Sequence, residues 1–217
     1  MKKRLFLWGL SVLIGGACLM AQSARYPAAM KANFKLLHEA TTMQEHNSVA
    51  AAFQRIASAE KTLWVPYYYA ALAKINGAMH AEGVDKDLTG QQVDSLLLQA
   101  EGIERNSELS TLHYYNEILK MSVNPAERFM QAAPLLEKYY KMATMQDSTN
   151  PRIYFLRAQT LLHTPESFGG GKKAAHPLFQ KVVDLFTANK AVTDTATDFR
   201  PTWGEKEAEA MLKATAE

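Results

Sequence analysis

Apolar residues recur along this chain at spacings of three and four, with polar residues between them, which is the period of helices. After Pro27, the residues Met30, Phe34 and Leu37 fall on one face of a first predicted helix. Asn47-Ser48 is an N-cap signal ahead of Val49, Phe53, Ile56 and Ala57. Pro66 opens a third segment through Leu72, Ile75 and Met79, and Thr89 or Gly90 precedes a fourth with Val93, Leu97 and Ala100. A fifth runs from near Glu108 through Leu112, Tyr115 and Leu119. Asn124-Pro125 and Asn150-Pro151 each join an N-cap to a proline suited to the first helical position. They open a sixth helix through Leu136 and Tyr140 and a seventh with Tyr154, Ala158 and Leu161. The eighth follows Gly169-Gly170-Gly171, and a short ninth follows Pro201-Thr202-Trp203-Gly204. Glycine and proline are expected to punctuate these segments rather than interrupt them. Nothing alternates at period two for long enough to require a strand, so the predicted class is all-α.

The even-numbered segments repeat one apolar triplet: Val49-Phe53-Ile56, Val93-Leu97-Ala100, Leu136-Tyr140-Ala143 and Ala175-Phe179-Val182. The central residues recur every 40 or so positions, a spacing of the kind that stacked helix pairs show. A large residue between two smaller ones fills the space between helices and lets their backbones approach. Phe53, Leu97, Tyr140 and Phe179 are therefore expected to be buried. At these residues the chain resembles tetratricopeptide-repeat proteins. Tyr154 and Ala158 match the aromatic and small positions of that family's first helix, and Asn150-Pro151 its inter-repeat turn. The period departs from the family's, at roughly 40 against about 34, and Glu82 to Gly90 is a long polar connection. The resemblance implies a TPR-like α-solenoid of about four helix pairs plus a C-terminal capping helix, spanning residues 24–217. In that helix Ala208, Met211 and Leu212 face one way, with Glu205, Lys206, Glu209 and Lys213 around the other side. It is expected to cover the Val182–Phe186 helix, with Trp203 sealing the junction and the Ala188–Asp198 connection the most mobile part. One further stretch, Thr164-Pro165-Glu166-Ser167-Phe168-Gly169-Gly170-Gly171, resembles a Pro-x-x-Phe-Gly-Gly segment of TRAP-transporter T-components. That resemblance implies association with a solute-binding partner.

The first residues read as an address. Met1-Lys2-Lys3-Arg4 is a charged start, Leu5 to Met20 is apolar, and Ala21-Gln22-Ser23 offers small residues for cleavage. Residues 1–23 are thus a predicted signal peptide, since an apolar run of roughly 16 residues is short for a bilayer. The expected location is the periplasm. Cys18 is the single cysteine. Its lipidation is the lesser alternative, because Gly15 stands where a large aliphatic residue is usual and Leu19-Met20 continue the apolar run. After leader removal no thiol remains, which excludes disulfides, cysteine nucleophiles and thiolate metal sites. The whole chain of 217 residues has a formal charge of +2. Loss of Lys2, Lys3 and Arg4 leaves it close to neutral, which argues against nucleic acid or an anionic membrane surface as the main partner.

Candidate chemistry is sparse. Gly171-Lys172 fails as a P-loop, because Glu166 stands at the first glycine and Lys173 at the Ser/Thr position. His38-Glu39 fails as a zincin start, because Thr42 takes the place of the second histidine. Asp85 and Asp87 read as a solvated loop. The residues therefore predict no catalytic constellation, no metal site and no cofactor. The most unusual feature is Trp64-Val65-Pro66-Tyr67-Tyr68-Tyr69. Successive helical residues point about 100° apart, so three tyrosines cannot all enter one core. Trp64, Tyr67, Tyr68, Arg152 and Lys172 are the candidate partner-contacting residues. The predicted function is an exported helical-repeat scaffold or adaptor, not an enzyme, binding a protein or peptide partner. A solute-binding or transport accessory like a T-component, with a small-molecule ligand, is the alternative. No nucleic acid and no membrane span after leader removal are expected.

Overall fold

The computed structural model describes residues 23–190 and 199–216. The predicted leader, including Cys18, lies outside them except for Ser23, and so does the 191–198 part of the Ala188–Asp198 connection. Among the described residues the regular structure is helical throughout. In chain order the helices are α1 (Tyr26–Glu39), α2 (Met43–Glu60), α3 (Val65–His80), α4 (Lys86–Glu101) and α5 (Ser107–Met121). They continue with α6 (Pro125–Gln146), α7 (Pro151–His163), α8 (Lys172–Lys190) and α9 (Glu205–Thr215), and a 3₁₀ turn, Glu166–Phe168, precedes α8.

The starts of α2, α4, α5 and α7 are capped by side chains, whereas Asn124 precedes α6 without a side-chain cap hydrogen bond. Asn106 accepts a hydrogen bond from the Leu109 amide and Asn150 from the Arg152 amide. Two starts lie earlier than the sequence reading placed them. Thr42, not Asn47-Ser48, caps α2, in a reciprocal box with Glu45 that satisfies two otherwise orphaned amides. Asp85 caps α4 by accepting from the Leu88 amide, so Thr89 and Gly90 lie inside that helix. Asp85 is thus a cap rather than a loop carboxylate, and Asp87 forms a two-pronged pair with Arg128. Nor does every proline mark a boundary: Pro134 lies inside α6 and Pro177 inside α8, both on exposed positions. There the missing backbone donor leaves a carbonyl to water rather than to the core. Gly77 lies inside α3 for a different reason. A Cβ there would stand 2.6 Å from His46 Cβ, so glycine permits the close approach of α2 and α3.

Each helix packs on the next from α1 to α9 with the consecutive antiparallel pairs expected of a stacked array. The odd-numbered helices also touch one another, α3 on α5 and α5 on α7, whereas the even-numbered ones make little or no such contact. Closer spacing in the odd layer curves the stack, with the odd helices on the inside. Every residue of the four apolar triplets is buried except Tyr140. Tyr140 is half-buried, its ring meeting Tyr154 edge-on and lying under the Arg157 guanidinium. Phe53, Leu97 and Phe179 are fully buried, as the repeat register requires.

The core falls into two parts. One joins α1 to α5 around Phe53, Tyr69, Ile75 and Leu97. The other joins α5 to α9 around Tyr114, Phe155, Phe179 and Val182. Tyr115 and Trp203 are half-buried and pack against both. Trp203 therefore does more than seal the end of the array. The chain after residue 198 lies across the odd layer, with Phe199 on α1 and Trp203 on α3, α5 and α7, before α9 packs on α8. Ala208 of α9 is buried as the capping reading requires.

Candidate functional site

The inner face carries a row of aromatic rings, and the α3 sequence explains why it starts there. Pro66 in the first turn fixes α3 at Trp64, so Tyr67, Tyr68 and Tyr69 follow at helical angles. Tyr68 and Tyr69 are buried and Tyr67 is half-exposed. Two neighbouring directions are both interior because α3 is flanked by α2, α4 and α5. Tyr69 stacks on Phe53 and meets Phe34 of α1 edge-on. Trp64 meets Tyr68 edge-on at 5.9 Å.

Tyr68 is also the centre of a polar network. Its hydroxyl accepts from Trp203 Nε1 at 2.7 Å and lies 3.4 Å from a Glu108 carboxylate oxygen. Arg152, in the first turn of α7, donates through Nε to both Glu108 oxygens at 3.0 and 2.9 Å and through Nη2 to one of them. The Arg152 side chain is 11% exposed and that of Glu108 15%. Burial, with the Glu108 charge beside it, pushes the Tyr68 phenol well above the usual range. Burial opposes the charge on Arg152, yet Glu108 more than offsets it and raises the guanidinium. The guanidinium is therefore charged and the phenol neutral at ordinary pH. Burial likewise pushes Tyr115 up to about 12.

Of the residues singled out from sequence, the fold brings together Trp64, Tyr68 and Arg152. Tyr67 borders this group on the next face of α3. Lys172 does not belong to it: it is exposed at the start of α8, at the opposite end of the α7–α8 pair from Arg152. Sequence reasoning missed Glu108 and the inward reach of Trp203. A buried arginine requires an acid, but nothing local marks Glu108 as that acid.

A second polar cluster fills the cleft between α4 and α6, above α5. Lys120 donates to Asp94 at 2.7 Å and to Glu117 at 2.9 Å, and Asn116 donates to Asp94 and to the Gly90 carbonyl. His113 bonds Glu101 at 3.1 Å and stacks on Tyr139. Burial outweighs the nearby Glu101 and Asp94 charges and lowers the His113 pKa, so the imidazole in this contact is neutral at neutral pH. The adjoining cleft of about 330 Å³ is lined by Asp87, Glu117, Lys120, Arg128 and Leu135. Its cations pair with its acids, which suits bracing between helices. Among the described residues no group of three or more His, Cys, Asp or Glu is placed to hold a metal ion. No helix among them is long and apolar enough to cross a membrane.

Fold and site define a curved all-α array of helix pairs with an aromatic inner face. A solved structure similar to this chain is the HusA haemophore from Porphyromonas gingivalis, at 31% identity and a TM-score of 0.79. The match covers 90% of this chain and 95% of that one. The chain belongs to the family of that haemophore. No protein-family model matches the chain, and no curated protein matches it.

Proposed function

We infer that this chain is an exported haem-binding protein whose inner aromatic face receives the tetrapyrrole. The observation that carries the reading is identity of 31% to a haemophore along 95% of its chain. The physical fit lies in the row Phe34, Tyr68, Tyr115 and Phe155 on the odd helices, since a flat, largely apolar macrocycle is recognised by stacked and edge-on rings. Export rests on the Met1–Ser23 leader. Haem here is cargo, which leaves the expectation of no resident cofactor as it was. The test is a titration of the mature protein with haemin, followed by its visible absorption and by tryptophan fluorescence. Saturable binding supports the reading; no binding, or merely non-saturating, detergent-sensitive association, overturns it.

The scaffold or adaptor role, in TPR-like or T-component manner, has one observation of its own. Phe168 is 73% exposed at the tip of a turn closed by the Phe168, Gly169 and Gly170 amides on the Pro165 and Glu166 carbonyls. A stiff turn presenting one aromatic ring suits contact with a protein partner. Site-specific photo-crosslinking from position 168 in whole cells tests it: one discrete adduct supports a protein contact there, and none opposes it.

A further inference from the structure

The inner face is already occupied, by the chain itself. Residues 199–203 form a strap across the odd layer. Phe199 meets Tyr26 edge-on at 5.3 Å and Phe34 at 5.7 Å. Trp203 stacks on Tyr115 at 6.1 Å, meets Phe155 edge-on at 6.4 Å and donates its indole N–H to Tyr68. A flat apolar ring thus sits in a slot built by three different helices. We propose that Trp203 is a stand-in for the ligand, so that a bound tetrapyrrole takes the indole's seat against Tyr68, Tyr115 and Phe155 and displaces the strap. This rests on the haem-binding reading of the same face.

Three features make the strap releasable. The slot belongs to the rigid helices, not to the strap: Tyr68 and Phe155 stay packed within the two cores when the indole leaves. The Tyr68 hydroxyl is not orphaned either, because the Glu108 carboxylate remains within reach to accept a hydrogen bond from it at 3.4 Å. The third is a pivot at Gly204. Its φ of 102° lies in the left-handed region that glycine enters at little cost, between the strap and α9. Beyond it α9 has its own attachments to α8: Glu205 to Lys190 at 2.6 Å and Thr215 to His176 at 3.0 Å, with Ala208 buried. The strap can therefore swing while the end of the array remains capped. Trp203 itself is only half-buried, and its exit uncovers the Tyr68, Tyr115 and Phe155 surfaces that a bound ring would cover again.

Competition of this kind has a calculable sign. A strap closed about nine-tenths of the time weakens apparent ligand affinity about tenfold, and removing its anchor restores that factor. The experiment compares haemin titrations of mature wild type, Trp203→Ala and Trp203→Phe, with hydrogen exchange of wild type with and without haemin. The expected results are about tenfold tighter haemin binding in Trp203→Ala, an intermediate value in Trp203→Phe, and faster exchange of the 199–203 amides on binding. Equal or weaker binding by a folded Trp203→Ala variant overturns the proposal, as does slowed or unchanged exchange at 199–203. Should Trp203→Ala fail to fold, the exchange result on wild type decides alone. Haemin binding by wild type with an unmoved strap removes this inference and leaves the haem-binding reading standing. No haemin binding by wild type or either variant removes both.

Discussion

Replacing Glu108 by glutamine keeps the shape of the buried pair and deletes its negative charge. Arg152 then retains a full positive charge in a site where its side chain is 11% exposed, with the Phe186 ring 6.0 Å away and a neutral phenol nearby. Three donor contacts to the carboxylate are weakened together. Breaking a buried ion pair from one side costs about 3–5 kcal/mol, because the remaining charge is left without compensation. For a chain of this size each kcal/mol lowers the melting temperature by about 2–4 °C, so a drop of about 6–20 °C is expected. Replacing both partners with apolar residues of similar volume, Glu108→Leu with Arg152→Met, should recover most of that loss, since no buried charge then remains. Circular dichroism melts and urea titrations of the two single variants and the double variant measure this as a double-mutant cycle. A loss below about 1 kcal/mol for Glu108→Gln, the scale of exposed pairs, refutes the reasoning and makes the pair a solvated one.

Three further outcomes follow from the same packing. Phe179→Ala should cost about 3–5 kcal/mol in urea denaturation, and Tyr140→Ala, at the half-buried member of the repeat, clearly less. Gly170→Ala would place a Cβ 2.1 Å from the Thr164 carbonyl oxygen, so a loss of at least about 1–3 kcal/mol is expected by thermal melt, and a neutral result would mean the Pro165–Gly171 turn yields freely. His46 and His113 both have pKa values lowered from 6.5, in each case by burial first. Their stabilising effect is complete above 6.5 and is lost as the pH falls through the lowered values, because the unfolded chain binds those protons first. The melting temperature should therefore decline on acidification below 6.5, less steeply in His113→Gln, whereas Glu45, held down to about 2 by the Thr41 and Thr42 amides, keeps its α2 cap throughout that range.

Much of the architecture was legible because burial at i, i+4 and i+7 is a one-dimensional signal. The triplets around Phe53, Leu97 and Phe179 report their own register, and the structure buries all three. The α2 start was legible too, but in a different place. Thr42-Met43-Gln44-Glu45 carries the reciprocal capping pattern, which outweighs an Asn-Ser pair lying one turn inside the helix. Pro134 and Pro177 show where punctuation reasoning ends. A proline inside a helix costs a hydrogen bond and crowds the carbonyl four residues back, which is tolerated best where that carbonyl can tilt out to water, and sequence alone does not say which side of the helix is wet.

The site divides along the same line. Three adjacent tyrosines announce a conflict that any helix must resolve, and Tyr67 is the ring left half-exposed. The partners of Tyr68 are another matter, for Glu108, Arg152 and Trp203 come from three distant segments and no local rule pairs them. What brings them together is a property of the whole array. A curved stack of four helix pairs leaves two surfaces unfinished: the bare side of its last helix, and the aromatic inner face of its odd helices. A capping helix answers the first, and the make-up of α9 shows it. The second is answered by the residues just before that helix, which cross the inner face and deliver Trp203 to α3, α5 and α7. One continuous stretch thus finishes both surfaces, with Gly204 at the joint. The cover over the inner face can be lifted while the cap stays seated, because the cap has its own ion pair, hydrogen bond and buried alanine on α8.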